Sequence, residues 1–401
     1  MRTPFYAAAL SVAALLAACG RPPTDAVTQS AVRRQPPDPE LVAQGMQIFR
    51  HSTFGNEVFW TDTARMHEVI ATSVSPAVAL AVGLQVDVDA LPPALREALA
   101  AGAVDLNAPA TTVALLKLNA VLGLRGTVQT VNGRDTLTRV GITCALCHSR
   151  VDDSFAPGIG HRRDGWAATS LNVGAIVALS PAIPEDLKAI LRTWGPGKYD
   201  PRINQDGQNT PIVIPPAYGL HGVAKETYTG DGPVSYWNAY VAITQMHGIG
   251  NFQDPRLGID IRSDVDLVTP LLPALAAYQF SLDPPPSPDR PDPLAVARGR
   301  GIFNGEARCA SCHIPGQHYS DINLGRLHDA DETGMDPAYA ARTATRRYRT
   351  TPLRGLWQHA PYFHDGSAAT LEDVVTHYDR VLELGLSPGQ RADLVAFLKT
   401  L

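Results

Sequence analysis

Cys144-Ala145-Leu146-Cys147-His148 and Cys309-Ala310-Ser311-Cys312-His313 are two copies of one pattern on a single chain. Two thiols three positions apart can each add to one vinyl group of a haem, and the adjacent histidine then lies under the iron as its proximal ligand. A zinc ribbon shares the Cys-x-x-Cys spacing but does not require histidine at the next position in both pairs. A thioredoxin-type dithiol is expected once, near a strand-helix junction. The doubled pentapeptide therefore predicts two covalently bound c-type haems, one on Cys144, Cys147 and His148, the other on Cys309, Cys312 and His313. His148 and His313 are the expected iron ligands.

The remaining cysteine decides the compartment. Arg2 precedes 14 uncharged residues, Phe5 to Ala18, too short to span a bilayer but suited to the apolar core of a secretory signal. Leu16-Ala17-Ala18-Cys19-Gly20 resembles a bacterial lipobox, in which Cys19 is acylated and becomes the mature N-terminus. The plainer alternative is a small-residue signal-peptidase site with an incidental cysteine. Residues 1–18 then form a lipoprotein signal peptide and 19–40 a Pro-rich tether. The expected location is the periplasm or outer membrane of a Gram-negative-type cell, anchored by lipid. With Cys19 assigned to lipid, the five cysteines leave none for a disulfide. A second uncharged run, Val69 to Val86, is diluted by polar residues, and Ser75-Pro76 within it predicts a capped, short buried helix rather than a span.

The 401 residues are 45% apolar and 18% charged, enough for two or three domains with cores of their own. A net charge of -5 argues against a nucleic-acid partner, which requires a basic surface. The one short basic cluster is Arg346, Arg347 and Arg349.

An internal echo divides the chain. Ala43-Gln-Gly-Met-Gln-Ile-Phe49 and Ala297-Arg-Gly-Arg-Gly-Ile-Phe303 share Ala, Gly, Ile and Phe in register, and both resemble the first helix of a cytochrome c unit. In the second copy Cys309 follows closely, whereas Cys144 comes 95 positions after Phe49, so the first unit carries a large insertion. Asp283 to Pro293 has six prolines in eleven residues, a stiff connection. The predicted fold is mainly α, with two cytochrome c-like haem domains at 41–282 and 294–401, linked by 283–293. Long loops and a small hairpin enlarge the first. Helical periodicity marks Pro92 to Ala101 and Thr111 to Leu122, and Asn132-Gly133 between two alternating runs marks the hairpin. In the second domain Thr370 caps one helix and Ser387-Pro388 opens the last. Ile314-Pro315 resembles the turn whose carbonyl orients the proximal imidazole in small cytochromes c.

The C-terminal stretch Thr351-Pro-Leu-Arg354 and Ala360-Pro-Tyr-Phe-His-Asp-Gly366, together with two widely spaced haem motifs, resembles the bacterial dihaem cytochrome c peroxidase and MauG superfamily. More distantly, it resembles the dihaem rubber oxygenases. That resemblance implies a reactive N-terminal haem on His148 and an electron-transferring C-terminal haem on His313. It places the second axial ligand of the latter at Tyr378, where the peroxidase branch has Met and the MauG branch Tyr. His377, one position away and about 100° round the helix, is the alternative. Phenolate favours ferric and higher oxidation states, which weakens simple peroxidase chemistry relative to storage of oxidising equivalents or oxygen chemistry.

At the N-terminal haem the resemblance points to a distal histidine, for which His161 is nearest, three residues short of the expected position. Glu226, Asp231 and His247 are the other acid/base candidates for moving a proton during O–O cleavage, with Gln245 beside them. The superfamily also implies a calcium ion between the haems near Asn172, although Asn172 is equally read as a turn residue. It implies a relaying tryptophan too, Trp166 or Trp194. Arg354 is the expected partner of a haem propionate, or else the cap of a loop. The expected function is reduction or activation of peroxide at the His148 haem with electrons through the His313 haem. A periplasmic small cytochrome c, cupredoxin or quinol serves as donor. The alternatives are a haem oxygenase acting with dioxygen on an apolar substrate, or a pure electron carrier.

Overall fold

The computed structural model describes residues 38–401; the signal segment, Cys19 and nearly all of the tether lie outside the described residues. Helix Pro39–His51 begins at Asp38, whose carboxylate accepts the Glu40 backbone N–H at 2.9 Å, with proline in the first turn. Helix Pro293–Asn304 begins the same way at Asp292. The echo is therefore structural as well as sequential.

Each of these helices crosses a partner at its shared glycine. Gly45 lies against the Ala274 carbonyl on helix Leu272–Ser281, and Gly299 lies against the Asp393 carbonyl on helix Pro388–Leu398. One turn on, Phe49 meets Tyr278 edge to face at 5.4 Å, and Phe303 meets Phe397 at 5.2 Å. Both phenylalanines are fully buried, worth about 2–3 kcal/mol apiece in transferred apolar surface. A side chain at either glycine would push the two backbones apart. This explains why Gly and Phe are the residues the two segments share.

Between the first pair of helices lies the enlarged part. Ser75 Oγ accepts the Val78 N–H and opens the short helix Pro76–Ala81, so the second uncharged run is two short helices joined by that cap. No helix among the described residues is long and apolar enough to cross a membrane. Helices Pro93–Ala100 and Pro109–Lys117 stand where the periodicity places them, the latter ending sooner than Leu122. Strands Leu124–Val131 and Arg134–Ile142 form the hairpin, with Asn132 and Gly133 both at positive φ, as a two-residue turn of this hand requires. The other strands described are only two or three residues long, paired two by two. Most of the remainder is loop.

In the C-terminal part, Thr370 and Ser387 each cap a helix with reciprocal capping boxes, to Asp373 and Gln390. Helix Leu371–Val381 lays Leu371 and Val375 into a core shared with Phe303, Leu394, Val395 and Leu398.

Candidate haem sites

The hairpin's second strand ends at Ile142, and a short helix, Ala145–His148, follows at once. Asn56 fastens this junction, donating to the Ile142 carbonyl at 2.9 Å and accepting its N–H at 3.0 Å. Cys144, Cys147 and His148 thus stand on the wall of a cavity of about 460 Å³, lined mostly by apolar side chains. His148 Nδ1 donates to the Pro215 carbonyl at 3.0 Å, which fixes the ring and leaves Nε2 for a metal. Burial pushes the His148 pKa down to about 4, so the imidazole is neutral and able to ligate. Burial pushes the Cys144 and Cys147 thiols up to about 12. Such thiols are poor thiolate ligands for zinc, and they suit thioether bonds to a porphyrin lying in an apolar slot.

The second motif repeats the histidine's arrangement but not the thiols': burial pushes Cys309 up to about 11, whereas a hydrogen bond with His328 lowers Cys312. His313 Nδ1 donates to the Tyr319 carbonyl at 2.8 Å. The sequence places this acceptor in the Ile314-Pro315 turn; it comes instead from farther along the same loop, because Tyr319 sits at positive φ and turns its carbonyl inward. Burial lowers the His313 pKa. Cys312, Asp321 and His328 converge within 4.8 Å, with His328 bridging Asp321 and Glu332. A thioether at Cys312 removes that sulfur from ionic metal binding.

The two candidates for the second axial ligand part company. His377 Nε2 donates to the Thr333 carbonyl at 2.8 Å, and its ring packs against Phe363. Tyr378 makes no hydrogen bond to another described residue. Desolvation pushes its phenol up to about 12, and the Cys309 and Cys312 sulfurs lie close enough to add to that shift. Of the two, Tyr378 is the residue that faces the haem-bearing cysteines.

Around the first cavity, the structure brings Glu226, Gln245 and His247 together on the lining with His148. Two π-helical turns help build it. Val58–Thr63 presents Phe59 and Trp60, and Val241–Gln245 leads into Met246 and His247. His247, at positive φ, stacks on Phe59 at 3.6 Å, and burial lowers its pKa. Glu226 is 4% exposed; burial pushes its pKa up to about 7 against the lowering effect of Arg349, and Oε1 has no partner. Arg349 Nη1 donates to Glu226 Oε2 at 3.1 Å and also to the Lys225 carbonyl. Sequence reasoning noted Arg349 only as part of a basic cluster and missed its place on this wall, along with Phe59, Trp60 and Trp237.

Two acid/base candidates, His161 and Asp231, stand away from the cavity lining, and Asn172 and Arg354 take the alternative roles the sequence offers. His161 does not line the cavity; it is exposed, and its Nδ1 lies 3.0 Å from Asp89 Oδ2. Asn172 caps the helix Val173–Val177 by accepting the Ala175 N–H at 3.0 Å, the turn role that the sequence also allows. Arg354 donates to the Gly219 and His221 carbonyls and lies against His318, so it takes the loop-capping role. Asp231 is buried in an ion pair with Arg202 at 2.9 Å, away from the cavity lining. Of the tryptophans, Trp194 lines the cavity and donates to Asn209 Oδ1 at 2.7 Å, whereas Trp166 meets Trp357 of the C-terminal part edge to face at 5.7 Å.

A family model described as RoxA-like, cytochrome c-like matches residues 347–382, a stretch that includes Arg349, His377 and Tyr378. The methylamine utilization protein MauG of Methylorubrum extorquens is 35% identical over 120 residues, 26% of this chain and 33% of that protein. The cytochrome-c peroxidase IdrP1 of Denitromonas iodatirespirans is 26% identical over 147 residues, 26% of this chain and 39% of that protein. Among solved structures, hydrazine synthase of Kuenenia stuttgartiensis aligns with 53% of this chain and 78% of that chain at 20% identity and a TM-score of 0.37. The chain thus spans less than half the length of these two curated relatives.

Proposed function

We propose that the chain is a member of the MauG and cytochrome c peroxidase superfamily, which its partial matches to proteins of those names support, and that it reduces or activates peroxide in the cavity beside His148, with electrons entering through the Cys309–His313 site. A c-type haem bound through Cys144 and Cys147 supplies an iron able to take up peroxide or dioxygen. His148, held by the Pro215 carbonyl, presents Nε2 to it. The observation that carries the reading is Glu226: a buried carboxyl on the same cavity wall, with one oxygen unpaired and a pKa of about 7. Such a group exists in both protonation states at neutral pH, so with a haem in place Glu226 would serve as the acid/base that takes up and returns a proton during peroxide cleavage. Arg349 holds its other oxygen and fixes its direction. Trp60 and Phe59 restrict water, and Phe59 keeps the His247 ring in place.

Electron supply from a small cytochrome c, cupredoxin or quinol, and lipid anchoring at Cys19 in the periplasm, complete the proposal. The test is peroxide turnover by the holoprotein with such a reduced donor. Glu226→Gln, which keeps the shape but cannot cycle a proton, lowers kcat by about 10²-fold or more; turnover equal to wild type removes Glu226 from the chemistry. A second reading is favoured by the apolar walls, where Met66, Ile70, Val74 and Leu84 extend the cavity away from the polar groups. They suit an apolar substrate oxidised with dioxygen. Oxygen uptake on such a substrate without peroxide selects that reading.

A further inference from the structure

Two side chains that each carry a buried donor without an acceptor line a second, smaller cavity. Its volume is about 350 Å³, and Arg150, Trp166, Trp357 and Gln358 are on its lining. Arg150 Nε is buried and has no partner, while its Nη1 reaches Thr169 Oγ1 at 3.3 Å and its Nη2 approaches Asp153 at 3.6 Å. Gln358 is 7% exposed; its Oε1 accepts the Tyr218 hydroxyl at 3.1 Å, and its Nε2 has no partner. Leaving such groups unmade costs about 1–3 kcal/mol each, so their presence together calls for an acceptor.

We propose that this cavity seats a haem propionate carboxylate, received by the Arg150 guanidinium and the Gln358 amide. The inference rests on the haem reading above. The orphans are donors, which argues against a cation. Two carboxylates, Asp152 and Asp153, also line the cavity, but both are already engaged, Asp152 by Arg163 Nη2 at 2.9 Å, the Ser154 hydroxyl and the His161 N–H, and Asp153 by the Gly158 N–H at 2.7 Å and by Arg150 Nη2 at 3.6 Å. Position argues for a propionate. Arg150 follows His148 by two residues on strand Ser149–Val151, and Gly165, next to Trp166, donates its N–H to the His148 carbonyl at 2.8 Å. Charge balance argues the same way. Arg349 is the one arginine on the larger cavity's lining, and it is paired with Glu226. Arg354 is committed to backbone carbonyls. A haem brings two carboxylates, and a buried carboxylate needs a paired donor set. Gln358 comes from the C-terminal part, so either haem can be the source.

The test uses holoprotein from a maturation-competent host, with haem content measured by protein mass and pyridine haemochrome. Spectroelectrochemical titration then follows each haem, alongside resonance Raman spectra of the propionate bending modes. Removing the cation leaves the propionate charge uncompensated and favours ferric iron. Arg150→Gln therefore shifts one midpoint in the negative direction and moves that haem's propionate band. Gln358→Leu does the same to a smaller extent, and Arg150→Lys stays near wild type. The spectrum that moves tells which haem supplies the carboxylate. Midpoints and bands unchanged in Arg150→Gln and Gln358→Leu overturn the assignment. So does an effect seen only when acetate or phosphate is added to chloride buffer, which assigns the cavity to a free anion. Wild-type chains carrying no haem overturn the parent reading and this one with it, whereas normal haem content with unmoved midpoints overturns this one alone.

Discussion

Arg349 Nη1 lies 3.1 Å from Glu226 Oε2, so a residue from the C-terminal part of the chain sets the acidity of a carboxyl on the wall of the His148 cavity. Burial raises the Glu226 pKa to about 7, and Arg349 opposes that rise. A limb of kcat/KM for peroxide therefore titrates near pH 7 in the wild type and disappears in Glu226→Gln. In Arg349→Leu the opposing charge is gone, and the limb moves to higher pH by about one unit or more. A pH-rate profile in which Arg349→Leu moves the limb downward contradicts this coupling.

The same carboxyl makes stability depend on pH. Its folded pKa is above the ordinary carboxylate value, so the native state binds a proton that the unfolded chain releases. The contribution is fully present below about pH 4.5 and is lost as pH rises to about 7, an effect of about 3 kcal/mol at most. Urea unfolding of wild type and Glu226→Gln at pH 5 and pH 8 reads it. The wild type loses more stability between those values than the variant does.

Gly45→Ala and Gly299→Ala each force a methyl group into a facing backbone carbonyl, of Ala274 and Asp393 respectively. A helix crossing this close cannot relax by turning a side chain. Each substitution is expected to cost about 2–4 kcal/mol, above the ordinary range for overpacking. Thermal unfolding measures it, and Gly301→Ala, where a Cβ meets nothing within 4 Å, serves as the control on the same helix.

His161→Ala leaves peroxide turnover as it is. The side chain is exposed and its partner is Asp89 on the surface. Solvent screens an exposed pair of this kind, so neither kcat nor the unfolding midpoint moves appreciably. A loss of kcat comparable with that of Glu226→Gln restores His161 to the chemistry.

What could be read in advance was local. The haem pentapeptides, the Ser75, Thr370 and Ser387 caps and the Asn132-Gly133 turn each depend on residues a few positions apart, and the caps and the turn stand where the sequence places them. The echo of Gly and Phe was legible as a repeat; its cause, close helix crossing, needed Ala274 and Asp393. Of the cavity wall, Glu226, Gln245 and His247 were legible as residues but not as neighbours, and Arg349, Phe59 and Trp60 were not legible. Glu226 meets Arg349 across 123 positions, and the π-helical turns that present Trp60 and Gln245 have no periodic signature. Asn172 and Arg354 each carried two readings for one reason: a short polar side chain and a long cation satisfy nearby backbone as readily as they bind an ion or a propionate, and here both bond to backbone.

The C-terminal haem supplies the sharpest spectroscopic prediction. His377 donates Nε2 to the Thr333 carbonyl, so ligation through that nitrogen requires breaking a 2.8 Å hydrogen bond and turning the ring away from Phe363. Tyr378 has no such bond to give up, and it lies by Cys309 and Cys312. Its phenol is held protonated to about pH 12 by desolvation, so ionisation near neutral pH depends on the ferric ion itself. With Tyr378 proposed as the oxygen ligand, the expected result for Tyr378→Phe is a change of coordination type in the ferric spin-resonance signal of that haem and a higher midpoint, because ferric iron would lose an anionic partner. His377→Phe keeps the wild-type signal and destabilises the fold by about 1 kcal/mol through the orphaned Thr333 carbonyl. The reverse pattern, a signal altered by His377→Phe and untouched by Tyr378→Phe, assigns the ligand to the imidazole and requires helix Leu371–Val381 to rotate when haem binds.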